Sequence, residues 1–62
     1  MHLLREIEKF MRETDMPWTK FGRLSVRDPR FVEDLRNGRQ PGEKISRRAE
    51  HFMNNWRNDH AA

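Results

Sequence analysis

The chemically active residues of this chain are its arginines and lysines, which are concentrated in one stretch. Residues 20–48 hold nine basic and four acidic side chains, a net charge of +5, whereas the segments on either side each carry −1. Seven of the nine are arginine, whose planar guanidinium donates bidentately to a phosphate or to the O6 and N7 atoms of guanine. The pattern predicts a polyanionic partner, with DNA, RNA and a membrane surface as candidates. A basic surface that serves only solubility is the alternative interpretation.

The sequence shows no combination of residues typical of a metal site or of an enzyme active site. The chain has no cysteine, and His2, His51 and His60 show no ligand spacing, so we expect no metal site. No serine, histidine and acid combination indicates a nucleophile, and 62 residues are too few for a sheltered pocket. We therefore expect no enzymatic activity, no cofactor and no small-molecule ligand. Neither a signal peptide nor a membrane-length apolar run is found, which predicts a cytoplasmic, nucleoid-associated protein without a membrane partner.

Apolar spacing predicts an all-α, compact four-helix bundle formed by one domain, residues 1–58, with a frayed C-terminus at 59–62. The first helix should end near Thr14, because Pro17 disfavours helical geometry at the residue before it. The second helix, about Trp18 to Ser25, contains Gly22, which costs roughly 1 kcal/mol relative to alanine and so predicts close packing of another helix there. The fourth helix, 43–57, carries one apolar face formed by Ile45, Ala49, Phe52, Met53 and Trp56.

The third helix is the best marked, over about residues 28–37. Asp28 is a good N-cap, Pro29 suits the first helical position, and Asn37-Gly38 predicts a left-handed C-cap. At 100° per residue, Val32 and Leu35 should point inward. The outward side should carry Arg30, Glu33, Asp34 and Asn37, preceded by Arg27. Asp34, four residues after Arg30, is expected to pair with it and hold its guanidinium.

Two short helices joined by a tight turn, the second bearing arginines, indicate a helix-turn-helix. From Phe10 to Phe52 the chain resembles the Xre/Cro-like helix-turn-helix domains, the fold of phage repressors (lambda-repressor-like). The matching pieces are Thr19-Lys20-Phe21-Gly22, the apolar pair Val32 and Leu35, and Asn37-Gly38-Arg39-Gln40-Pro41. The chain is also similar to small bacterial proteins sharing the runs Phe-Gly-Arg-Leu and Asp-Pro-Arg-Phe-Val. It differs from the broader family in having glycine at 22, where alanine is usual, and no glycine in the turn.

These observations lead to a sequence-specific DNA-binding transcription regulator, a repressor, with the third helix in the major groove. The expected base contacts are Arg27, Arg30, Glu33, Asp34 and Asn37. The expected DNA backbone contacts are Trp18, Thr19, Lys20, Arg23, Arg39, Arg47 and Arg48. For Trp18, packing against the first helix is the alternative.

So small a module predicts a homodimer on double-stranded DNA, formed through the C-terminal helix near Phe52, Met53 and Trp56. A core role for Trp56 is the other possibility. Two other functions remain open. One is an antitoxin or adaptor module that binds a protein, and the other is a nonspecific nucleoid or RNA-binding protein.

Overall fold

Four α-helices follow one another along the chain: α1 (Leu3–Thr14), α2 (Trp18–Val26), α3 (Phe31–Arg36) and α4 (Glu43–Asp59). The computed structural model describes residues 2–60, and that part of the chain contains no strand. The all-helical class predicted from apolar spacing is confirmed. The fourth helix runs two residues beyond the predicted Arg57. Of the residues predicted to fray, 59–62, Asp59 is the last residue of α4 and His60 follows it as the cap, whereas 61 and 62 lie outside the described residues.

The break between α1 and α2 follows from two residues. Asp15 adopts a left-handed conformation with φ of 58°, which short polar side chains tolerate better than most, and its N–H donates to the carbonyl of Met11. Pro17 then precedes the first residue of α2. The predicted end of the first helix at Thr14 is confirmed.

An aromatic cluster joins three of the helices at the centre of the core. Phe10 of α1 meets Phe21 of α2 edge-to-face, with ring centroids 5.6 Å apart, and Phe21 meets Phe52 of α4 at 5.4 Å. Trp56 contacts Phe10 in the same manner at 6.2 Å. Such pairs add about 0.5–1.5 kcal/mol beyond the burial of their area. The cluster therefore holds α2 and α4 together, while α3 packs against α1 and α2.

The predicted dimer surface on α4 is wrong at Met53. This side chain is only 2% exposed, because it faces the core. Phe52 and Trp56 are half-buried and pack against the core as well, which bears out the core role for Trp56.

The third helix is shorter than predicted, six residues rather than about ten. A carboxylate oxygen of Asp28 accepts a hydrogen bond from the N–H of Arg30 at 3.0 Å, and the carbonyl of Asp28 accepts from the N–H of Phe31 at 3.1 Å. Asp28 thus closes a turn through Pro29, and the helix begins only after it. At the other end Gly38 has φ of 91°, which confirms the left-handed cap predicted there.

Among residues 2–60, none of the helices combines the length and the apolar character needed to cross a membrane.

Candidate nucleic-acid interface

The turn between α2 and α3 lies directly on the backbone of Gly22. A Cβ at this position would overlap the carbonyl oxygen of Asp28 and would lie 3.3 Å from the Cβ of Phe31. The N–H of Asp28 also donates to the carbonyl of Gly22 at 3.1 Å. Close packing at Gly22 is therefore confirmed, and the packed elements are the turn and the first residue of α3. Because glycine has no Cβ, α3 can approach α2 this closely at Gly22.

Arg27 ends α2 in a left-handed conformation, with φ of 60°. Its N–H donates to the carbonyl of Arg23 at 3.1 Å, so it occupies the cap position where glycine is usual. The left-handed region costs a residue with a Cβ roughly 1–2 kcal/mol. Its side chain is exposed, and no ion pair joins it to another residue between 2 and 60. An arginine thus occupies a position whose left-handed conformation is unfavourable, and its exposed side chain is available to bind a partner.

The outer face of α2 and its cap is positively charged and contains no acidic residue. Lys20, Arg23 and Arg27 follow one another at spacings of three and four, and all three are exposed. We call these three residues the α2 basic stripe. No ion pair of the described chain engages any of them. Thr19, beside Lys20 in the chain, is exposed, and Leu24, which follows Arg23, is 46% exposed.

The outward side of α3 is polar. Val32 and Leu35 are buried as predicted, and Arg30 and Asn37 are exposed. The predicted pair between Arg30 and Asp34 is wrong. Nη2 of Arg30 instead lies 3.6 Å from Oε1 of Glu33. Arg39 engages the carboxylate of Asp34, and Glu33, three residues after Arg30, is the acid nearest to the Arg30 guanidinium.

Asp34 holds the segment after α3. Its carboxylate accepts a hydrogen bond from Nη1 of Arg39 at 3.2 Å, and its backbone carbonyl accepts from the N–H of the same residue at 3.0 Å. The side chain of Asp34 is only 27% exposed. Two of the predicted DNA contacts, Asp34 and Arg39, therefore bind each other.

The two predicted contacts on α4 differ in their ion pairing. Arg47 donates to Glu43 at 2.7 Å, whereas Arg48 has no ion pair within residues 2–60. Both line an open concavity of about 550 Å³ together with Lys44 and His51. Residues of α2 and α3 take no part in its lining.

Trp18 combines packing with partial exposure. The indole packs against the core, as one of the two interpretations of the sequence held. Its exposed part lines a groove at the end of α1, shared with Arg12 and Arg36. Arg36, which the sequence analysis did not single out, donates to Glu8 at 3.1 Å and so links α3 to α1. The sequence pattern does not predict this pair, because the two residues are 28 positions apart in the chain.

Comparison of the chain with protein-family models, with curated proteins and with solved structures found no match.

Proposed function

We propose that this protein is a DNA-binding transcription regulator that contacts duplex DNA through α2, the turn and α3. In this proposal α2, the turn and α3 act as a helix-turn-helix, with the exposed side of α3 against base edges in the major groove. The observation that carries the proposal is the α2 basic stripe, which is free of acids and of ion pairs within the described chain and is joined by a closely packed turn to a short helix with a polar outer side.

The stripe supplies the affinity. Lys20, Arg23 and Arg27 can bind phosphates without breaking any ion pair of the described chain, because none engages them. Each phosphate neutralised releases counterions and steepens the salt dependence of binding by about 0.9 in log–log slope. Arg36 and Arg47, by contrast, would first have to leave their glutamates. We therefore assign the main phosphate contacts to the stripe, with Thr19 beside it. In this proposal Arg27, which the sequence predicted as a base contact, contacts phosphate instead.

The exposed polar residues of α3 supply the specificity. The guanidinium of Arg30 suits the acceptors of guanine, and the amide of Asn37 suits the N6 and N7 atoms of adenine. Both side chains are exposed at the two ends of α3. A helix of six residues spans few base pairs, so we further propose that two copies bind an inverted repeat.

The test is a titration of random and selected duplexes at several salt concentrations. A specific regulator shows a steep salt slope and binds its selected site at least about 10³-fold more tightly than random DNA. Arg30→Ala should lower affinity for the selected site by about 5- to 150-fold and relax one base position. No binding to any duplex would overturn the proposal in favour of a protein-interaction module such as an antitoxin or adaptor.

A second candidate is sequence-neutral binding to DNA, as in a nucleoid protein. Both carboxylates on the outer side of α3, Glu33 and Asp34, lie in ion pairs with arginines, which makes that surface nearly neutral, whereas the three cations of the neighbouring α2 basic stripe are unpaired within the described chain. A protein that relies on the stripe alone shows the steep salt slope without the preference for one sequence. Preferential binding to single-stranded RNA, titrated under the same salt conditions, would instead indicate an RNA-binding protein.

A further inference from the structure

The arginines around α3 differ in how closely they contact their carboxylate partners. Arg36 and Arg39 donate hydrogen bonds to carboxylates at 3.1 and 3.2 Å. Arg30 lies 3.6 Å from Glu33, which is attraction without a hydrogen bond. The side chain of Arg30 is 76% exposed and that of Glu33 is 44% exposed. The N–H donors of Arg30 are therefore available to a partner, and the attraction of the Glu33 carboxylate favours positions of the guanidinium close to Glu33.

The pair has the spacing and polarity of one G·C base pair seen from the major groove. There the O6 acceptor of guanine and the N4 donor of cytosine lie about 3 Å apart, because they are hydrogen-bonded to each other. The donor of Arg30 and the acceptor of Glu33 are 3.6 Å apart. An acceptor and a donor on the DNA would thus face a donor and an acceptor on the protein at nearly the same separation.

We propose that Arg30 and Glu33 together read a single G·C base pair, with Arg30 on O6 and N7 of guanine and Glu33 on N4 of the paired cytosine. This inference rests on the proposed function. Asp34 takes no part in the reading, because Arg39 occupies its carboxylate and its backbone carbonyl. Glu33, which would otherwise repel DNA, becomes a selective contact because it accepts only from an amino group.

The chemistry also ranks the other base pairs. A T·A pair with thymine beside Arg30 offers one acceptor, O4, and the N6 donor of adenine, so it ranks second. Each reversed pair places an amino group where Arg30 would meet O6 and an oxygen against Glu33, which is repulsive. Adenine beside Arg30 still offers N7 as an acceptor, whereas cytosine offers none. The expected order at this position is G·C first, then T·A, then the two reversed pairs.

The first experiment compares two variants that remove the same charge from the same helix. Glu33→Gln and Asp34→Asn each raise the net charge by one, so both should tighten binding to all duplexes. The neutral amide that replaces the carboxylate of Glu33 can present oxygen or nitrogen, so only Glu33→Gln should reduce discrimination against the reversed pair. That discrimination is expected to be about 5- to 150-fold in the unaltered protein and to persist in Asp34→Asn.

The second experiment leaves the protein unaltered and changes the DNA. The selected site is synthesised with 7-deazaguanine, which lacks N7, or with N4-methylcytosine, which has one amino hydrogen fewer. Each analogue should weaken binding, and the 7-deazaguanine effect should vanish in Arg30→Ala.

The results separate the inference from the function on which it rests. If selection from random DNA enriches no sequence, the proposed regulator itself is refuted. If a sequence is enriched but Glu33→Gln and Asp34→Asn select it alike, the regulator stands and the base-pair assignment fails. Insensitivity of the enriched site to both analogues leads to the same conclusion.

Discussion

Replacing Gly22 with alanine tests how closely the turn packs on α2. In an open helix this change stabilises by roughly 1 kcal/mol, because glycine is a poor helix former. Here the new Cβ would overlap the carbonyl oxygen of Asp28, and it would lie 3.2 Å from the carbonyl carbon and 3.3 Å from the Cβ of Phe31. Two of the three contacts are backbone atoms, which cannot swing aside as a flexible side chain could. The turn must therefore move away from α2.

The magnitude follows from what that movement disturbs. Overpacking of this kind costs about 1–3 kcal/mol. The hydrogen bonds from Asp28 N–H to Gly22 and from Phe31 N–H to Asp28 are strained with it, each worth about 1 kcal/mol. After the gain in helix propensity, we expect a net loss of about 2–4 kcal/mol. A domain of this size has only a few kcal/mol to lose, so the variant should be largely unfolded at room temperature.

Urea denaturation followed by circular dichroism in the far ultraviolet, which reports helix content, measures the change. With a denaturant dependence of about 1 kcal/mol/M, the midpoint should fall by about 2–4 M or disappear altogether. Gly42→Ala is the matched control, because a Cβ there meets no atom within 4 Å, and it should shift stability by no more than about 1 kcal/mol. A Gly22→Ala variant as stable as the unaltered protein would refute the packing argument.

Three further predictions concern strain, charge and the core. Arg27→Gly should stabilise the fold by about 0.5–1 kcal/mol in the same assay, because it removes the left-handed strain, and it should weaken DNA binding as much as Arg27→Ala does. A less stable Arg27→Gly variant would show that the backbone at Arg27 is not strained. Lys20→Ala should weaken binding to random and selected duplexes alike and reduce the log–log salt slope by about one, whereas a loss confined to the selected site would argue against a phosphate contact. Phe52→Ala should lower the free energy of unfolding by about 3–5 kcal/mol and abolish the cooperative thermal transition, because it removes a ring that contacts both Phe10 and Phe21. An intact thermal transition would show that the aromatic cluster is dispensable.

The sequence predicted the buried side of α3 and the close approach at Gly22, because apolar spacing and a costly glycine each have one simple structural cause. It misplaced the start of α3 because Asp28-Pro29 is ambiguous. An aspartate that accepts from an N–H two residues later serves equally as a helix cap or as the first residue of a turn. Only the backbone geometry distinguishes the two, and it places a turn before Phe31.

The ion pairs were the least predictable part of the site. Sequence spacing suggested Arg30 with Asp34, but Arg39, which follows the end of α3, reaches Asp34 instead. Glu8 and Arg36 meet only because the tertiary fold brings α1 and α3 together. Such pairings depend on where separate segments come to rest. They decide which predicted contacts stay available for DNA.

The order in which the helices pack has a kinetic consequence. α2 and α3 pack together across a turn of four residues, and most close approaches in the described chain join parts that are near in sequence. Little loop-closure entropy opposes such contacts, so we expect the protein to refold from urea within microseconds to milliseconds. Stopped-flow mixing would then find refolding complete within its dead time, whereas a main phase lasting seconds would show that the distant contacts between α1 and α4 limit the rate.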